Sequence, residues 1–549
     1  MTRSGSPDLD DGNDASVHEA FQRARRQHGD RPFLHVPAHC AGGLVDLTYE
    51  QAGARIESII AGYRHAGYGK GHHVALLLDN RADFYLHWLA LNAIGATIVP
   101  LGADLAPEEC SHVLQHGDVD LLVHLPERYV SAEHAARPID GLPLATANAI
   151  EAREAPPATT ARGTQSGYAA IVFTSGSTGR PKGCVLSNEY FLTFGRWYRD
   201  LGGRCALRHG VERLITPLPL NHVNALAFSS MGMILTGGCI IQLDRFRSSS
   251  WWSIATRSRA TVMHYLGVMP AMLLQLPVDP IERTHALRFG FGGGVPAAHH
   301  GAFEDRFGVP LIEGWAMTET GGAGTISTHV GPRHIGSGCI GRPSSAYSEA
   351  RIANEEGVTQ DIDCVGELLV RAPGAEPRRG FFSGYYKDPE STEAAWQGGW
   401  LHTGDLARRG ADGSIFFVGR RKQIIRRSGE NISAAEVESV LVADTRIKEA
   451  AVVPVPDELR EEEVFACIVL EPDVPPSAAM VEAILGAAAE RLAYFKLPGY
   501  IAFMYSLPVT ATQKRRYGAV AEAAKSLLAA GSSRLFDVRH AKRKYRPVR

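Results

Sequence analysis

Short apolar runs that alternate with helix-spaced segments constrain the fold of this 549-residue chain most strongly. In residues 72–101, "HHVALLL" predicts a buried strand, "ADFYLHWLALNAIG" a helix that ends at Gly95, and "ATIVPL" the next strand. The runs "VDLLVHL", "YAAIVFTSG", "ERLITPLPL" and "CIIQL" continue the pattern. Strands that alternate with helices predict an α/β fold whose mostly parallel sheets are covered on both faces.

A second pattern begins near Ser344, where "GELLVRA" and "GWLHTGDLARRGADGSIFFVGR" predict antiparallel strands with "ADGS" as a hairpin turn. After Arg420 a compact α+β pattern follows, in which "SAAEVESVLVA" predicts a helix capped by Ser433, with Glu436 completing a capping box. We therefore predict a large N-terminal domain with a β-rich subdomain and a small, mobile C-terminal domain. The predicted divisions are a disordered N-terminus at 1–16, a large domain at 17–421 and a small domain at 422–549.

Composition excludes several classes of protein. The formal net charge is −2, so no global field favours nucleic acid or a membrane surface. The eight cysteines are scattered and form no C-x-x-C pair, which favours free thiols in a reducing compartment. The acidic N-terminal residues do not resemble a signal peptide, and charges interrupt the most apolar stretch too often for a membrane span. We expect a cytoplasmic protein without a transmembrane segment.

The loop "FTSGSTGRPKG", residues 173–183, follows a predicted strand and combines hydroxyls, glycines and a lysine. It is not a Walker loop, because position 181 is proline and Lys182 is followed by Gly183. Glycines let the backbone approach an anion closely, while hydroxyls and an ammonium group bind phosphate oxygens. The predicted phosphate-binding residues are Thr174, Ser175, Gly176, Ser177, Thr178, Gly179 and Lys182.

This loop resembles the signature loop of the adenylate-forming superfamily, which includes acyl-CoA synthetases, peptide-synthetase adenylation domains and luciferases. "GWAMTET" at 314–320, the run from "GWLHTGDLARRG" to "RSGENISAAEVE", and "LPVTATQK" at 507–514 resemble its other motifs in the same order. The resemblance spans roughly residues 47–517. The small-domain runs are most similar to acyl-CoA ligases, in the branch of carnitine- or crotonobetaine-CoA ligases.

The resemblance implies a reaction in two steps with ATP, Mg²⁺ and coenzyme A. A carboxylate first attacks the α-phosphate of ATP, which gives an acyl-adenylate and pyrophosphate. The thiol of CoA then displaces AMP and forms the thioester. The first step brings negative groups together, so catalysis depends on positioning and charge neutralisation.

The resemblance also assigns roles in the first step. Glu319, with Thr178, would hold Mg²⁺, and Thr318 would hydrogen-bond the α-phosphate. Asp405 would accept hydrogen bonds from the ribose hydroxyls, as a carboxylate can from a vicinal diol, and Arg420 would support it. The other predicted nucleotide-site residues are Gly292, Gly293, Gly314, Trp315, Ala316, Met317 and Phe417.

Lys514 is the catalytic lysine that the resemblance implies. It would reach from the small domain and bridge the substrate carboxylate and the adenylate oxygens. The chain departs from the family pattern around it, with Gln513 where glycine is usual and Tyr517 where arginine is frequent. The hinge between the two steps would be Lys422, and the CoA tunnel would be lined by Ser428, Gly429 and Glu430.

The acid substrate would enter past His222, which matches the histidine at the family's pocket entrance. The predicted acid-pocket residues are Val223, Asn224, Phe228, Gly267 and Gly294. These bulky and small residues together favour a short or medium, partly polar acid, and Trp315 could offer a cation–π face to an ammonium group.

Two further readings stay open. In the first, an adenylating enzyme transfers its acyl group to a carrier protein or an amine instead of CoA. Arg426, Arg427 and the basic tail at 539–549 lean toward CoA, because they could meet its phosphates. In the second, the chain binds nucleotides without catalysis, which Gln513 alone encourages. No nucleic-acid partner is expected, and the sequence leaves a homodimer open.

Overall fold

The computed structural model describes residues 14–40, 43–102, 105, 107–150, 154–157, 168–174, 181–354, 356–421, 424–427, 430–457, 460–509, 515–532 and 534–545. Two domains follow one another along the chain, a large α/β domain and a small α+β domain. The large domain holds the main hydrophobic core, and the small domain has separate clusters of its own. None of the helices in these ranges combines the length and apolarity needed to span a bilayer.

The strands of the large domain form two sheets. They are β1 (Pro32–Val36), β2 (Val45–Thr48), β3 (His73–Leu77), β4 (Thr97–Pro100), β5 (Leu121–His124), β6 (Leu144–Thr146), β7 (Tyr168–Thr174), β8 (Lys182–Ser187), β9 (Arg213–Thr216), β10 (Cys239–Gln242), β11 (Val262–Leu266), β12 (Phe289–Gly293), β13 (Leu311–Trp315), β14 (Ile326–Ser327), β15 (Cys339–Pro343), β16 (Glu349–Ala353), β17 (Val365–Arg371), β18 (Gly384–Tyr385), β19 (Leu401–Arg409) and β20 (Ile415–Arg420).

Helices cover these sheets. They are α1 (Val17–His28), α2 (Tyr49–His65), α3 (Ala82–Ala93), α4 (Pro107–His116), α5 (Tyr129–Ala136), α6 (Asn188–Asp200), a π-helix (Asn224–Ser229), α7 (Ser230–Thr236), α8 (Trp251–Arg257), α9 (Val268–Leu274), α10 (Ala297–Phe307) and α11 (Pro389–Ala395).

The seven-stranded sheet has the order β18-β8-β7-β4-β3-β5-β6. Strands β7, β4, β3, β5 and β6 are parallel, whereas β8 and β18 add antiparallel edges. Every residue of β3 and β5 is buried, which explains their continuous apolar runs. The sequence therefore predicted the parallel core of this sheet correctly.

The second sheet has thirteen strands in the order β16-β17-β19-β20-β15-β14-β13-β12-β11-β9-β10-β1-β2. Strands β1, β10, β9, β11, β12 and β13 are parallel. Beyond β13 the sheet continues with antiparallel strands as far as its edge strand β16. The β19–β20 pair is the hairpin predicted around "ADGS". The parallel half and the β-rich subdomain are thus one continuous sheet, so residues 311–327 join them directly.

The small domain has one six-stranded sheet. Its elements are β21 (Ile424–Arg427), β22 (Glu430–Ser433), α12 (Ala434–Val442), β23 (Ile447–Asp457), β24 (Glu461–Leu470), α13 (Ala478–Ala489), β25 (Tyr500–Phe503), α14 (Tyr517–Ala530) and β26 (Leu535–Asp537). Ser433 caps α12 as predicted, by accepting a hydrogen bond from the Glu436 amide. The Glu436 carboxylate instead binds Lys496, at 2.6 Å.

Candidate active site

The predicted phosphate loop connects two antiparallel strands. Strand β7 ends at Thr174 and β8 begins at Lys182, and these two residues face each other in the sheet. Ser175, Gly176, Ser177, Thr178 and Gly179 lie outside the described residues. The ammonium group of Lys182 donates to Asp388 Oδ2 at 3.0 Å and to Ser391 Oγ at 2.6 Å. The lysine is therefore fixed at the start of β8.

Asp388 holds Lys182 from the N-terminus of α11. Its carboxylate caps that helix by accepting a hydrogen bond from the Ser391 amide, at 3.0 Å. Hydrogen bonds from Ser391, followed by the one from Lys182, lower the pKa of Asp388 to about 2. Sequence reasoning missed Asp388, although an aspartate directly before Pro389 is a helix-start signal. The signal predicts the cap, but not its partner more than 200 residues away.

Tyr385 connects Lys182 with Glu319. Its phenol donates to Glu319 Oε1 at 2.9 Å, and its ring lies 5.0 Å from the Lys182 ammonium group. Burial, followed by the charge of Glu319, raises the pKa of Tyr385. Strand β18 places Tyr385 here because it pairs with β8, with Tyr385 opposite Cys184. The sequence analysis also missed this tyrosine.

Glu319 and Thr318 follow β13 on a segment anchored from two sides. The Glu319 carbonyl accepts from the Phe382 amide at 3.0 Å, and the Thr318 carbonyl accepts from the Tyr190 hydroxyl at 2.9 Å. Among the residues that the structure describes, no three His, Cys, Asp or Glu side chains group as metal ligands. A single carboxylate fits Mg²⁺ that takes its other ligands from phosphates and water.

Asp405, the predicted ribose acceptor, is only 2% exposed. The Trp315 indole donates to its Oδ2 at 2.8 Å. Its Oδ1 lies 3.1 Å from Arg420 Nε, the cross-strand neighbour, but receives no hydrogen bond. Burial raises the pKa of Asp405, and Arg420 opposes that rise. An open, buried acceptor beside a cation suits a hydroxyl donor such as a ribose.

One short segment joins these two groups of residues. Trp315 contacts Asp405, and Glu319, four residues later, contacts Tyr385, whose ring faces Lys182. Ala316 and Met317 lie between them, and the Met317 amide donates to the Thr320 hydroxyl at 2.9 Å. The structure therefore brings the predicted ribose acceptor and the predicted phosphate cation to the two ends of residues 315–319.

The glycines of the predicted site are required by close backbone approach. A Cβ at Gly292 would lie 2.2 Å from the Tyr265 carbonyl oxygen, and one at Gly293 would lie 2.5 Å from that of Gly314. At Gly267 a Cβ would meet the Gly294 carbonyl oxygen at 1.8 Å. These residues bring strands β11, β12 and β13 and the loops after them into contact. Phe417 is half-buried on β20, and its amide donates to Gly338.

The predicted acid pocket lies on and near the π-helix. Asn224 begins this helix, and its Oδ1 is buried without a hydrogen-bond partner. His222 and Val223 precede it and are half-buried. π-Helices are rare and frequently occur at functional sites. The helix therefore marks this segment independently of the sequence motif.

Phe228 lies inside an aromatic cluster. It stacks on His264 with ring centroids 4.3 Å apart and lies 4.4 Å from the Tyr198 ring. Burial lowers the pKa of His264 to about 3, so this imidazole is neutral. The sequence analysis did not single out His264. The other rings around Phe228 are Phe194, Trp197 and Phe291.

Most of the predicted small-domain residues cannot be placed. Lys422, Ser428, Gly429 and Lys514 lie outside the described residues, and Glu430 is described only as the first residue of β22. Arg427 is buried and paired with Glu463, so its guanidinium group is already bound by a carboxylate inside the small domain. The side chain of Arg426 is also outside the described set.

Comparison with known proteins assigns the family. A family model described as AMP-binding enzyme matches residues 21–386, which is more than half of the chain. A second, described as AMP-binding enzyme C-terminal domain, matches residues 436–514. The chain belongs to the AMP-binding enzyme family. This finding confirms the resemblance to adenylate-forming enzymes stated from the motifs.

Named relatives cover nearly the whole chain. The crotonobetaine/carnitine–CoA ligase of Proteus mirabilis (strain HI4320) is 30% identical over 486 residues, covering 85% of this chain and 91% of that ligase. The ligase of the same name from Salmonella typhi is 31% identical over 500 residues, covering 88% and 94%.

Solved structures share the fold. The anthranilate CoA ligase AuaEII in complex with anthranoyl-AMP has a TM-score of 0.81 at 22% identity, with 94% of this chain and 98% of that chain covered. The amide bond synthetase McbA from Marinactinospora thermotolerans has a TM-score of 0.78 at 24% identity, with 92% and 99% covered. The predicted fold class, a large α/β domain followed by a small α+β domain, is confirmed.

Proposed function

We propose that this chain activates a short, medium or carnitine-like carboxylic acid as its acyl-adenylate and transfers the acyl group to CoA. The chain is an AMP-forming acid–CoA ligase that uses ATP and CoA. The observation that carries the site assignment is the segment 315–319, which links Asp405 at one end with Glu319, Tyr385 and Lys182 at the other. A ribose and a phosphate chain need an acceptor and a cation arranged in this way.

In the first step the residues of the site bind ATP and neutralise the negative charge of its phosphates. Asp405 Oδ1 accepts a ribose hydroxyl, because it is buried and has no hydrogen bond of its own. The Lys182 ammonium group gives up part of its contact with Asp388 and pairs with a phosphate oxygen, which is a stronger charge-assisted partner. Glu319 holds Mg²⁺, which supplies positive charge to the phosphates when it is bound. Lys514 reaches the carboxylate and the α-phosphate as charge develops on them.

In the second step the small domain presents another surface. Lys422 is the hinge, and Ser428, Gly429 and Glu430 line the path of the thiol. A hinge needs few residues to absorb such a rotation. The Ser433 hydroxyl donates to the Val418 carbonyl of β20 at 2.6 Å. The base of the β21–β22 hairpin is therefore held next to the large domain.

The acid lies beyond His222, with Val223, Asn224, Phe228, Gly267 and Gly294 around it. The packed rings at Phe228 favour a short or medium acid, since a long chain would have to displace them. The nearby carboxylate of Glu313 is already occupied by the Tyr265 hydroxyl and the Gly294 amide. An ammonium-bearing acid would therefore meet aromatic faces, as in cation–π recognition.

A second function is favoured by one observation. Arg427 and Lys542 are both paired with Glu463, which removes them from the set of cations available to CoA. Transfer of the acyl group to an amine or a carrier protein would use the same adenylation residues.

The test is incubation of the full chain with ATP, Mg²⁺ and a panel of butyrate, hexanoate, benzoate, L-carnitine and crotonobetaine. Products are measured by mass spectrometry with and without CoA. Acyl-CoA from one or a few acids is the expected result. An acyl-adenylate that accumulates and ignores CoA would transfer the proposal to a carrier or amine acceptor. Absence of any adenylate would contradict the proposal.

A further inference from the structure

Two of the buried carboxylates in the small domain each lie next to a segment with a different proposed task. Glu438 on α12 binds Arg515, the residue directly after Lys514. Glu463 on β24 binds Arg427, the residue directly before Ser428. We name the first group, Glu438 with Arg515 and Tyr517, the adenylation cluster. The second, Glu463 with Arg427 and Lys542, is the thiol cluster.

The adenylation cluster fixes the chain immediately after Lys514. Glu438 Oε2 accepts from Arg515 Nη1 at 3.0 Å and from the Tyr517 hydroxyl at 2.8 Å. Its Oε1 accepts from the Val452 amide at 2.7 Å, which ties the carboxylate to β23. Glu438 is 6% exposed, so these partners replace solvent almost completely. Tyr517, a departure from the family pattern, is part of this anchor.

The thiol cluster fixes the chain immediately before Ser428. Glu463 Oε1 accepts from Arg427 Nε and from Lys542 Nζ, each at 2.8 Å. Lys542 also donates to the Leu497 carbonyl at 2.7 Å. Glu463 and Lys542 are both 0% exposed. A lysine buried this deeply, in a tail that otherwise exposes Arg543 and Lys544, is held for its contact with Glu463.

The tail forms a strap over this cluster. Strand β26 pairs with β25, and the Val538 amide donates to the Gly499 carbonyl at 2.9 Å. The short helix from Ala541 to Tyr545 then carries Lys542 to Glu463, and its Ala541 and Tyr545 pack on the small-domain core. The described part of the tail therefore reaches the turn end of the β21–β22 hairpin, where Arg427 pairs with Glu430.

We propose that these clusters position the two halves of the reaction separately, the adenylation cluster acting on Lys514 and the thiol cluster on residues 428–430. The inference rests on the proposed function. Buried ionic groups need well-defined geometry to balance their desolvation, so each cluster restricts the segment it binds. Tyr517 and Lys542 are thus positioning residues that act through Arg515 and Arg427.

The experiment measures the half-reactions separately in the full chain. Adenylation is followed by acid-dependent ATP–pyrophosphate exchange without CoA, using the acid that gives the highest wild-type turnover. Thioester formation is followed in a single turnover, by adding CoA to enzyme that carries its acyl-adenylate. The variants are Tyr517→Phe and Lys542→Met. Their matched controls are Tyr505→Phe, an 84% exposed tyrosine of the same domain, and Lys525→Met, an exposed lysine on α14 of the same domain.

A double dissociation is expected. Tyr517→Phe lowers exchange by about tenfold and leaves thioester formation within about twofold, because small misplacements carry large kinetic penalties. Lys542→Met does the reverse, and it leaves Glu463 with one cation, so charge balance inside the domain is kept. Both controls stay near wild type in both assays.

Loss of both half-reactions in the same variant, or of neither, would overturn the inference. The proposed function would still stand if the wild-type enzyme is active. Wild-type enzyme without exchange would contradict the proposed function itself. Should Tyr517→Phe or Lys542→Met unfold, Arg515→Lys and Lys542→Arg replace them, and the same separation is required at smaller size. Their failure to separate the two assays would equally overturn it.

Discussion

The two domains use buried charge in different ways. In the large domain, Lys182 at the start of β8 and Asp405 in the middle of β19 are held with one side still able to meet a ligand, as the open Oδ1 of Asp405 illustrates. In the small domain, Glu438 is bound by Arg515, the Tyr517 hydroxyl and the Val452 amide. Glu463 Oε1 is bound by Arg427 and Lys542, while its buried Oε2 has no hydrogen bond. The large-domain charges therefore lie where we propose that a ligand binds, whereas the small-domain carboxylates bind cations next to Lys514 and Ser428 in the sequence.

Acidification should act with opposite signs on two buried histidines of the large domain and on Glu438 of the small domain. Burial lowers the pKa of His264 to about 3 and that of His87 to about 4. The unfolded chain then binds more protons than the native state below about pH 6.5, so large-domain stability falls, by about 2 kcal/mol per histidine at pH 5. Burial raises the pKa of Glu438. The contribution of this carboxyl to the stability of the small domain therefore rises as the pH falls from neutrality.

Tryptophan fluorescence can measure the large-domain part of this pH effect, because all seven tryptophans precede residue 421. Urea unfolding followed by fluorescence should move to lower midpoints between pH 7 and pH 5. The shift should shrink in His264→Gln and persist in the control His65→Gln, whose side chain is exposed. An unchanged midpoint would contradict the large-domain half of the comparison.

Asp405→Ala should lower kcat/KM for ATP by about 100-fold. The change removes the proposed ribose acceptor and leaves the Trp315 indole and the Arg420 charge without their partner. Initial rates of pyrophosphate release at varied ATP check this expectation. The control is Asp412→Ala, an exposed aspartate of the β19–β20 turn. Loss of activity at saturating ATP with an unchanged KM would argue against ribose binding.

Tyr385→Phe should slow adenylation by about tenfold, since only the hydroxyl that holds Glu319 is removed. The neighbouring Tyr386→Phe is the control, because that hydroxyl donates to Asp118 instead, at 2.8 Å. Titration of Mg²⁺ should show a higher half-saturating concentration for Tyr385→Phe alone. Equal effects in the two variants would mean that Tyr385 contributes only to packing.

Ser433→Ala is expected to have the smallest effect, about 1 kcal/mol, from the loss of the α12 cap. The same change removes the hydroxyl that donates to Val418. Thermal unfolding should therefore show a small loss, and Ser477→Ala at the cap of α13 provides a comparison without a large-domain contact. A loss in Ser433→Ala no greater than in Ser477→Ala would remove the role given to the Val418 contact.

Local sequence patterns correctly predicted the elements that depend on interactions between residues close in sequence. The buried strands β3 and β4, the helix between them and the β19–β20 hairpin follow from apolar runs and turn residues. The cross-strand pair of Asp405 and Arg420 is equally local, because both residues belong to the β19–β20 hairpin. Domain limits at residue 421 and the roles of Lys422 and Lys514 stay predictions.

Contacts across long stretches of chain could not be predicted in this way. Asp388 looks like an ordinary helix cap, and nothing near it in sequence indicates that it binds Lys182. Lys542 looks like part of a solvated basic tail, yet it is buried on Glu463, 79 residues away. Both contacts depend on how distant elements pack rather than on residue type.

We propose that the site around residues 315–319 transfers AMP, not phosphate, to a carboxylic acid. Phosphorus NMR of the full chain with ATP, Mg²⁺ and the best acid of the panel distinguishes the two transfers. AMP and pyrophosphate should form in equal amounts, only when the acid is present, and both should be strongly reduced in Asp405→Ala. Formation of ADP and inorganic phosphate, or AMP release that does not depend on the acid, would contradict it.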